Sequence, residues 1–296
     1  MAATVTVCGN RGAARFCGLT QVLTTLRPII QTLGFPLMAD PSDILIMSDK
    51  ARCRAHLVVA GIAIPPGLPD CHHVAELHAA MEDACWSRVF IKPRWGSSGA
   101  GIIAYQRSTG PAGARVRATT TLRAGAGDRL MVSKRLQHLD DPALIHALIN
   151  HVLADGAVVE RWIPKLTAAG GPVDLRVVVI AGQPRHRIAR VGAGTITNLH
   201  LDAKRLEVDQ LFADTPRQRS DRVWDLARQV GAAFPRSWYL GIDVLLTHGV
   251  RSARVGEVNA WGDLLPGLLD QGEDTYTAEI RSFLAAHPSA LTPVRS

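Results

Sequence analysis

Three polar side chains interrupt two aliphatic runs in the last fifth of the chain. Asp243 sits in Tyr239-Leu240-Gly241-Ile242-Asp243-Val244-Leu245-Leu246, and Glu257 and Asn259 sit in Ala253-Arg254-Val255-Gly256-Glu257-Val258-Asn259-Ala260. Both runs are rich in Val, Ile and Leu and flank a turn at His248-Gly249, which predicts a β-hairpin. Side chains two apart leave one face of a strand, so Glu257 and Asn259 point the same way, and pairing brings Asp243 to them. Two carboxylates and an amide form a hard oxygen set that suits Mg²⁺, whose octahedron water and phosphate oxygens complete. A solvated sheet face is the plain alternative, and the aliphatic surroundings disfavour it.

A second constellation is Lys92-Pro93-Arg94-Trp95-Gly96-Ser97-Ser98-Gly99-Ala100-Gly101, set between Val89-Phe90-Ile91 and Ile102-Ile103-Ala104-Tyr105. Lysine closes one strand, a Gly/Ser loop follows, and another strand begins. Backbone N–H groups free of side-chain bulk can turn toward phosphate oxygens. The loop lacks the Lys-Ser/Thr and helix of a Walker loop, and no helix opens at its end as a dinucleotide fingerprint requires. Taken alone, a bare hairpin connection explains it equally well. A third piece, Val158-Val159-Glu160-Arg161-Trp162-Ile163-Pro164, reads as a strand running into irregular backbone, whose free N–H and C=O groups suit the edge of an adenine ring. A strand ending at proline is commonplace.

In this order the pieces resemble the ATP-grasp superfamily, from about Asp49 nearly to the C-terminus. The resemblance implies an α+β fold in which two lobes clamp ATP, and a substrate carboxylate activated as an acyl phosphate for capture by an amine or internal nucleophile. Asp49-Lys50 and Gly61-Ile62-Ala63-Ile64-Pro65 look like the family's Asp-Lys…Gly-x-x-x-Pro segment. The resemblance places Lys50 and Lys92 on the phosphates, Trp95, Gly96, Ser97, Ser98 and Gly99 in a mobile loop, and Glu160, Arg161, Trp162 and Ile163 at the adenine. Asp174-Leu175-Arg176 is similar to the Asp-Ile-Arg strand of the ribosomal-protein glutamate ligase branch, with Asp174 near the ribose. Arg190 falls near the triphosphate, and Thr197-Asn198-Leu199-His200 is similar to that branch's Ser-Asn-Leu-His segment. Asp243, Glu257 and Asn259 match the metal ligands, for one or two Mg²⁺ ions with Mn²⁺ as the alternative.

Glu257 to Gly267 resembles the ending of a sparsely characterised bacterial subfamily, Glu-x-Asn-(small)-x-Gly-Asp-Leu-Leu-Pro-Gly, and Cys8-Gly9-Asn10-Arg11 and Asp274-Thr275-Tyr276 fit it too. One departure concerns the reaction centre. Many dipeptide ligases carry arginine just before the metal-binding Ile-Asp, where this chain has Gly241. Arg176, Arg190 or Lys204 must then supply the catalytic cation. A small-molecule kinase, or a nucleotide-binding regulator without turnover, would use the same constellation.

At 296 residues with 47% hydrophobic content, the chain can bury the cores of two or three lobes. No run reaches membrane-spanning length, and the N-terminus lacks a basic leader. Five cysteines, at 8, 17, 53, 71 and 85, show no metal spacing and read as reduced, small core residues of a cytoplasmic protein. The net charge of +7 suits acidic ligands. Nucleic-acid binding as a primary role is disfavoured, because the arginines are dispersed and aromatics do not interleave with them. Family resemblance implies a small-molecule or peptide carboxylate and an amine as partners, and a homodimer as a common assembly.

The expected organisation is a shortened α/β segment over 1–48, a first lobe over 49–155 and a second over 156–296. Thr4–Cys8 and Ile44–Met47 read as strands, with a helix over Leu19–Leu33 between them. Further helices are expected over Val74–Trp86, Pro142–Ala154, Ser220–Ala233 and Tyr276–Ala286. Cys71-His72-His73, Glu76 and His78 could suggest metal ligands, but a helix entry explains them better. Ser97-Ser98 has no positioned base and reads as loop.

Overall fold

A computed structural model describes residues 5–7, 11–97, 99–110, 113–124, 130–192, 194–197, 204–261 and 265–288. Two sheets, antiparallel throughout, organise the chain. The first runs in the order β1 (Val5–Val7), β5 (Leu130–Leu139), β4 (Gly113–Ala124), β3 (Ile103–Gly110), β2 (Arg88–Pro93) and β6 (Ala157–Arg161). Helices α4 (Val74–Asp83) and α5 (Pro142–Ala154) cover it, with Leu77, Met81, Ile145 and Ile149 packed on Val89, Ile91, Ile103 and Tyr105. Asp141 caps α5 by accepting from the Ala143 N–H, and Pro142 takes the first helical position, where no N–H is needed.

The second sheet runs β10 (Lys204–Leu206), β9 (Gln183–Val191), β8 (Gly171–Ile180), β11 (Tyr239–Leu246) and β12 (Ala253–Asn259), with β7 (Thr167–Ala168) on β8. Its strands sort their residues by the two-residue period. Val173, Leu175, Val177 and Val179 of β8 and Leu240, Ile242, Val244 and Leu246 of β11 enter one core, under α7 (Arg217–Ala233), joined by Val208 of the short α6 (Val208–Phe212). Asp174 and Arg176, the alternate residues of β8, lie on the other face. Farther along that face, Val178 and Ile180 pack beneath α8 (Thr275–Ala286). At roughly 1.5–3 kcal/mol per buried aliphatic side chain, the eight core residues of β8 and β11 fix the register, because a one-residue slip would drive Asp174, Arg176 and Asp243 inside.

Several elements differ from the sequence expectation. Ile44–Met47 belongs to a helix, α2 (Pro41–Met47), and not to a strand. Asp40 caps it by accepting from the Ser42 N–H at 2.8 Å, Pro41 occupies the first turn, and a short apolar run carries no period that would separate the two states. Ile44 and Met47, with Cys53 and Leu57 of α3 (Lys50–Val59), fill the core of the second sheet, although Asp49 was expected to open the first lobe. Conversely β1 and β6 belong to the first sheet, against β5 and β2, rather than to an N-terminal layer and the second lobe. Helix α1 (Arg11–Leu33) is longer than expected, and its Leu19 and Leu23 pack on the second core.

The histidine segment is a helix entry. His73 Nδ1 accepts from the Glu76 N–H, and Glu76 accepts from the His72 N–H at 2.7 Å, a reciprocal cap. Cys53 and Cys71 are buried as expected for small core residues, whereas Cys17 and Cys85 are exposed. Among the described residues no helix is long and apolar enough to cross a membrane.

Candidate active site

The β11–β12 hairpin sets Asp243 directly opposite Glu257 and Gly241 opposite Asn259, with a bulge just after Asp243. On its other side β11 pairs with β8, placing Asp243 opposite Arg176. Three neighbouring strands thus bring two carboxylates, an amide and a guanidinium to one sheet face. Asp243 Oδ1 lies 3.2 Å from Arg176 Nε and 3.1 Å from Arg190 Nη2. Neither contact has hydrogen-bond geometry: Asp243 Oδ1, Arg176 Nε and Nη1 and Asn259 Nδ2 are all buried without a hydrogen-bond partner. Such groups cost free energy unless a ligand completes them. Among the described residues no three His, Cys, Asp or Glu side chains converge, so the carboxylate pair with Asn259 is the oxygen set the face offers a cation.

Both predicted phosphate lysines reach this face. Lys50, first residue of α3, lies 2.9 Å from Glu257 Oε1 and also donates to the Gly96 carbonyl of the loop. Lys92, at the end of β2, pairs with Glu160 Oε2 at 2.6 Å and donates to Gly256 O at 3.3 Å, so it links the two sheets. Burial pushes the Glu257 carboxyl up, and Lys50 and Lys92 more than reverse this, holding it below the usual glutamate range. The carboxylates that suit a cation and the ammonium groups that suit phosphate therefore neutralise one another.

Asp174 and Arg190 form a second buried cluster. Arg190 Nε donates to Asp174 Oδ1 at 2.7 Å, Lys165 Nζ donates to Oδ2 at 3.1 Å, and Thr197 Oγ1 donates to the same oxygen. Burial raises the Asp174 carboxyl, and Lys165 and Arg190 outweigh it to leave the group lowered. Arg190 is held so tightly between Asp174 and Asp243 that its own pKa is raised. Sequence reasoning missed Lys165, and it missed Arg54, which pairs with Glu160 at 2.6 Å. A lysine after Trp-Ile-Pro and an arginine inside a helix carry no local signal of either partner.

The Gly/Ser loop is anchored at both ends. Asp49 caps α3 and takes a two-pronged contact from Arg94, Nε and Nη2 both at 2.8 Å. At the far end Thr121 Oγ1 accepts from the Gly101 N–H at 3.0 Å and donates to Gly99 O at 3.1 Å. Gly101 has φ +75°, and a Cβ there would stand 2.9 Å from Pro93 Cγ, so only glycine fits. Trp95 stacks on Phe16 of α1, ring centroids 5.9 Å apart.

Two recesses flank the carboxylates. A narrow cleft of about 80 Å³ lies between the sheets, lined among others by Lys92, Gly99, Ile163, Lys165, Asp174 and Glu257. A wider pocket of about 540 Å³ opens on the other side of Asp243, Glu257 and Asn259, toward α1. Trp95, Gly96 and Ser97 line the wide pocket and Gly99 the cleft, so the loop runs between them. Glu160, Arg161 and Ile163 line the cleft, whereas the Trp162 ring tilts against Phe90 at 5.1 Å and borders a separate recess. Lys204 lies exposed on edge strand β10 and lines neither recess, which separates it from Arg176 and Arg190. Ser98 and Asn198 lie outside the described residues, as do Leu199 and His200, Cys8 to Asn10 and Gly262 to Leu264.

A profile of the YheC/D-like ATP-grasp family matches residues 63–248, more than half of the chain. Among solved structures, D-alanine–D-alanine ligase from Bacillus anthracis in complex with ATP superposes with TM-score 0.54 at 15% identity, over 90% of this chain and 76% of that one. The D-cycloserine synthetase DcsG gives 0.56 at 13% identity, over 92% and 80%. The ADP complex of purK, N5-carboxyaminoimidazole ribonucleotide synthetase, gives 0.55 at 11% identity, over 88% and 56%. At these identities the likeness is one of fold. No curated protein sequence matches the chain.

Proposed function

The chain belongs to the YheC/D-like ATP-grasp family, and from that premise we propose that it is an ATP-dependent carboxylate–amine ligase. One observation carries the reading: the β8–β11–β12 register sets Asp243, Glu257, Asn259 and Arg176 on one face, beside Lys50 and Lys92. Asp243, Glu257 and Asn259 would hold Mg²⁺ or Mn²⁺, which would supply charge neutralisation between nucleotide phosphates. Asp243 Oδ1, buried without a hydrogen bond between two guanidiniums, fits that role.

The chain's own groups divide the remaining work. Lys50 and Lys92, released from Glu257 and Glu160, supply positive charge to phosphate oxygens. Ile163 lines the cleft where the adenine would lie, and Asp174 lines the same cleft. Arg176 supports the attacking carboxylate and the transferring phosphoryl from the opposite side, a role that rests on positioning and charge rather than on a protein base. Arg190 acts by holding Asp174 and Asp243. The Trp95–Gly99 loop excludes water, which would otherwise intercept an activated carboxylate. At about 80 Å³ the cleft is smaller than the roughly 300–1,000 Å³ of ligand pockets, so the Lys92–Gly256 and Lys50–Gly96 contacts between lobes must part for nucleotide to enter.

The deciding experiment is calorimetry of ADP and ATP binding with and without Mg²⁺, followed by an ADP-release screen of carboxylates with amines. Magnesium-dependent nucleotide affinity, with ADP and inorganic phosphate appearing alongside an amide, is expected. Absence of any magnesium-dependent affinity refutes the reading. ADP with a stable phosphomonoester would make the protein a kinase instead.

A further inference from the structure

The 540 Å³ pocket has an inner wall and an outer wall of different chemistry. The inner wall holds Arg176 and Asn259: Arg176 Nε lies 3.2 Å from Asp243 Oδ1, and Arg176 Nε and Nη1 and Asn259 Nδ2 are buried without a hydrogen bond. An anionic group completes such donors, and the reacting carboxylate belongs there. The outer wall is built from α1 and from Trp261: Arg15, Phe16, Leu19 and the indole. Arg15 carries the only charge of that wall, and among the described residues no carboxylate pairs with it.

Helix α1 is fixed in place. Phe16 stacks on Trp95, the Arg52 guanidinium sits 5.7 Å from the Phe16 centroid, and Leu19 packs on the second core. Arg15, one residue before Phe16, is exposed on this anchored helix and lines the same pocket as Arg176. The same wall offers aromatic surface in Phe16 and in Trp261, which is 49% exposed. Arg15 on α1 and Arg176 on the sheet thus bring cations to two walls of one pocket. Its only described carboxylates are Asp243 and Glu257, at the inner end. An ammonium at the outer end would meet Arg15 and find no counter-ion among the described residues.

We propose that the pocket takes a carboxylate substrate carrying a second anionic group, and that Arg15 receives that group. The inference rests on the ligase reading for the identity of the inner, reacting end, and it deepens that reading by naming the substrate class. Arg15 is a specificity residue here, remote from the reacting atoms. At an exposed arginine such an ion pair contributes up to about 1 kcal/mol, roughly a twofold to fivefold preference for a dianionic over a monoanionic substrate of equal length.

The test uses the full chain and a homologous series of α,ω-dicarboxylates, aliphatic and aryl, beside the monocarboxylate of each length. Binding is read without nucleotide by quenching of tryptophan fluorescence, and KM is then read by ADP release. Dicarboxylates should bind about twofold to fivefold more tightly than their monocarboxylate partners in the unaltered protein. Arg15→Ala should erase that difference while leaving monocarboxylate affinity in place, and Arg15→Lys should keep part of it. Equal affinity for both members of each pair overturns the proposal, as does a preference for ammonium-bearing carboxylates or an Arg15→Ala protein that retains the dicarboxylate preference. Calorimetry with Mg–ADP separates the failures. Intact nucleotide binding without dicarboxylate preference removes only the role of Arg15, whereas loss of nucleotide binding in the unaltered protein removes the ligase reading itself.

Discussion

A Cβ placed on Gly241 would stand 3.1 Å from Arg176 Nη1 and 3.8 Å from the Cβ of Asn259. The guanidinium of one strand therefore occupies the space that a side chain on the neighbouring strand would take. This places an arginine beside Asp243, the proposed metal ligand, although the position in β11 is glycine. Of the three cations that the sequence left open, Arg176 alone lines the wide pocket, since Arg190 is locked between two aspartates and Lys204 is exposed at an edge.

Gly241→Ala should push the Arg176 guanidinium off Asp243 and lower kcat by about tenfold, equivalent to about 1.4 kcal/mol in the barrier. Arg176→Ala should cost more, about 10²–10³ in kcat, the range for losing one preorganised electrostatic stabiliser. Arg176→Lys should recover a part. Steady-state kinetics with the best carboxylate found in the screen decides this. A wild-type kcat for Arg176→Ala would return the role to another cation.

Glu257→Gln should abolish magnesium-dependent ADP affinity while the circular dichroism spectrum stays unchanged. The same substitution carries a pH signature. The folded-state pKa of Glu257 lies below the ordinary glutamate value of 4.5, so its ionised form stabilises the fold above that pH. That contribution is lost as pH falls through the lower, folded value. Denaturant midpoints measured downward from pH 6 should fall less steeply for Glu257→Gln than for the unaltered protein. Parallel profiles would refute the buried ion-pair account.

Glu279 predicts the opposite sign. Its side chain is buried on α8, Oε1 has no hydrogen-bond partner, and burial pushes its pKa up to about 7. Between 4.5 and 7 the folded state holds a proton that the unfolded state has lost, so stability from this group falls as pH rises through that window. Above it the full penalty is present, on the order of 3 kcal/mol. Glu279→Gln should raise Tm by several degrees at pH 8 and by much less at pH 4.5. An equal change at both pH values would show that Glu279 does not titrate in this way.

Thr121→Val keeps the shape of the side chain but removes the hydroxyl that joins the Gly101 N–H to the Gly99 carbonyl. At about 0.5–1.5 kcal/mol per hydrogen bond, a threefold to tenfold rise in KM for ATP is expected, with kcat affected less. A variant with unchanged KM would mean that the loop is set by Lys50 and Arg94 at its other end alone.

Much of this site could be read from local order. The two-residue period put Glu257 and Asn259 on one face, the cap at Asp49 fixed the start of α3 under Lys50, and the glycines after Lys92 marked a loop. All three rest on interactions within a few residues, where backbone geometry links residue type to position. The tertiary structure decided which strands became neighbours. Strand period says which face a side chain leaves, but not which strand lies beside it, so the reach of Arg176 into the space at Gly241 and the Lys165–Asp174 pair followed only from the β8–β11 register and the fold around it. The placement of α2 and α3 in the second core and of α1 across the pocket has the same cause: apolar burial, which carries no direction along the chain, chose among partners tens to hundreds of residues apart.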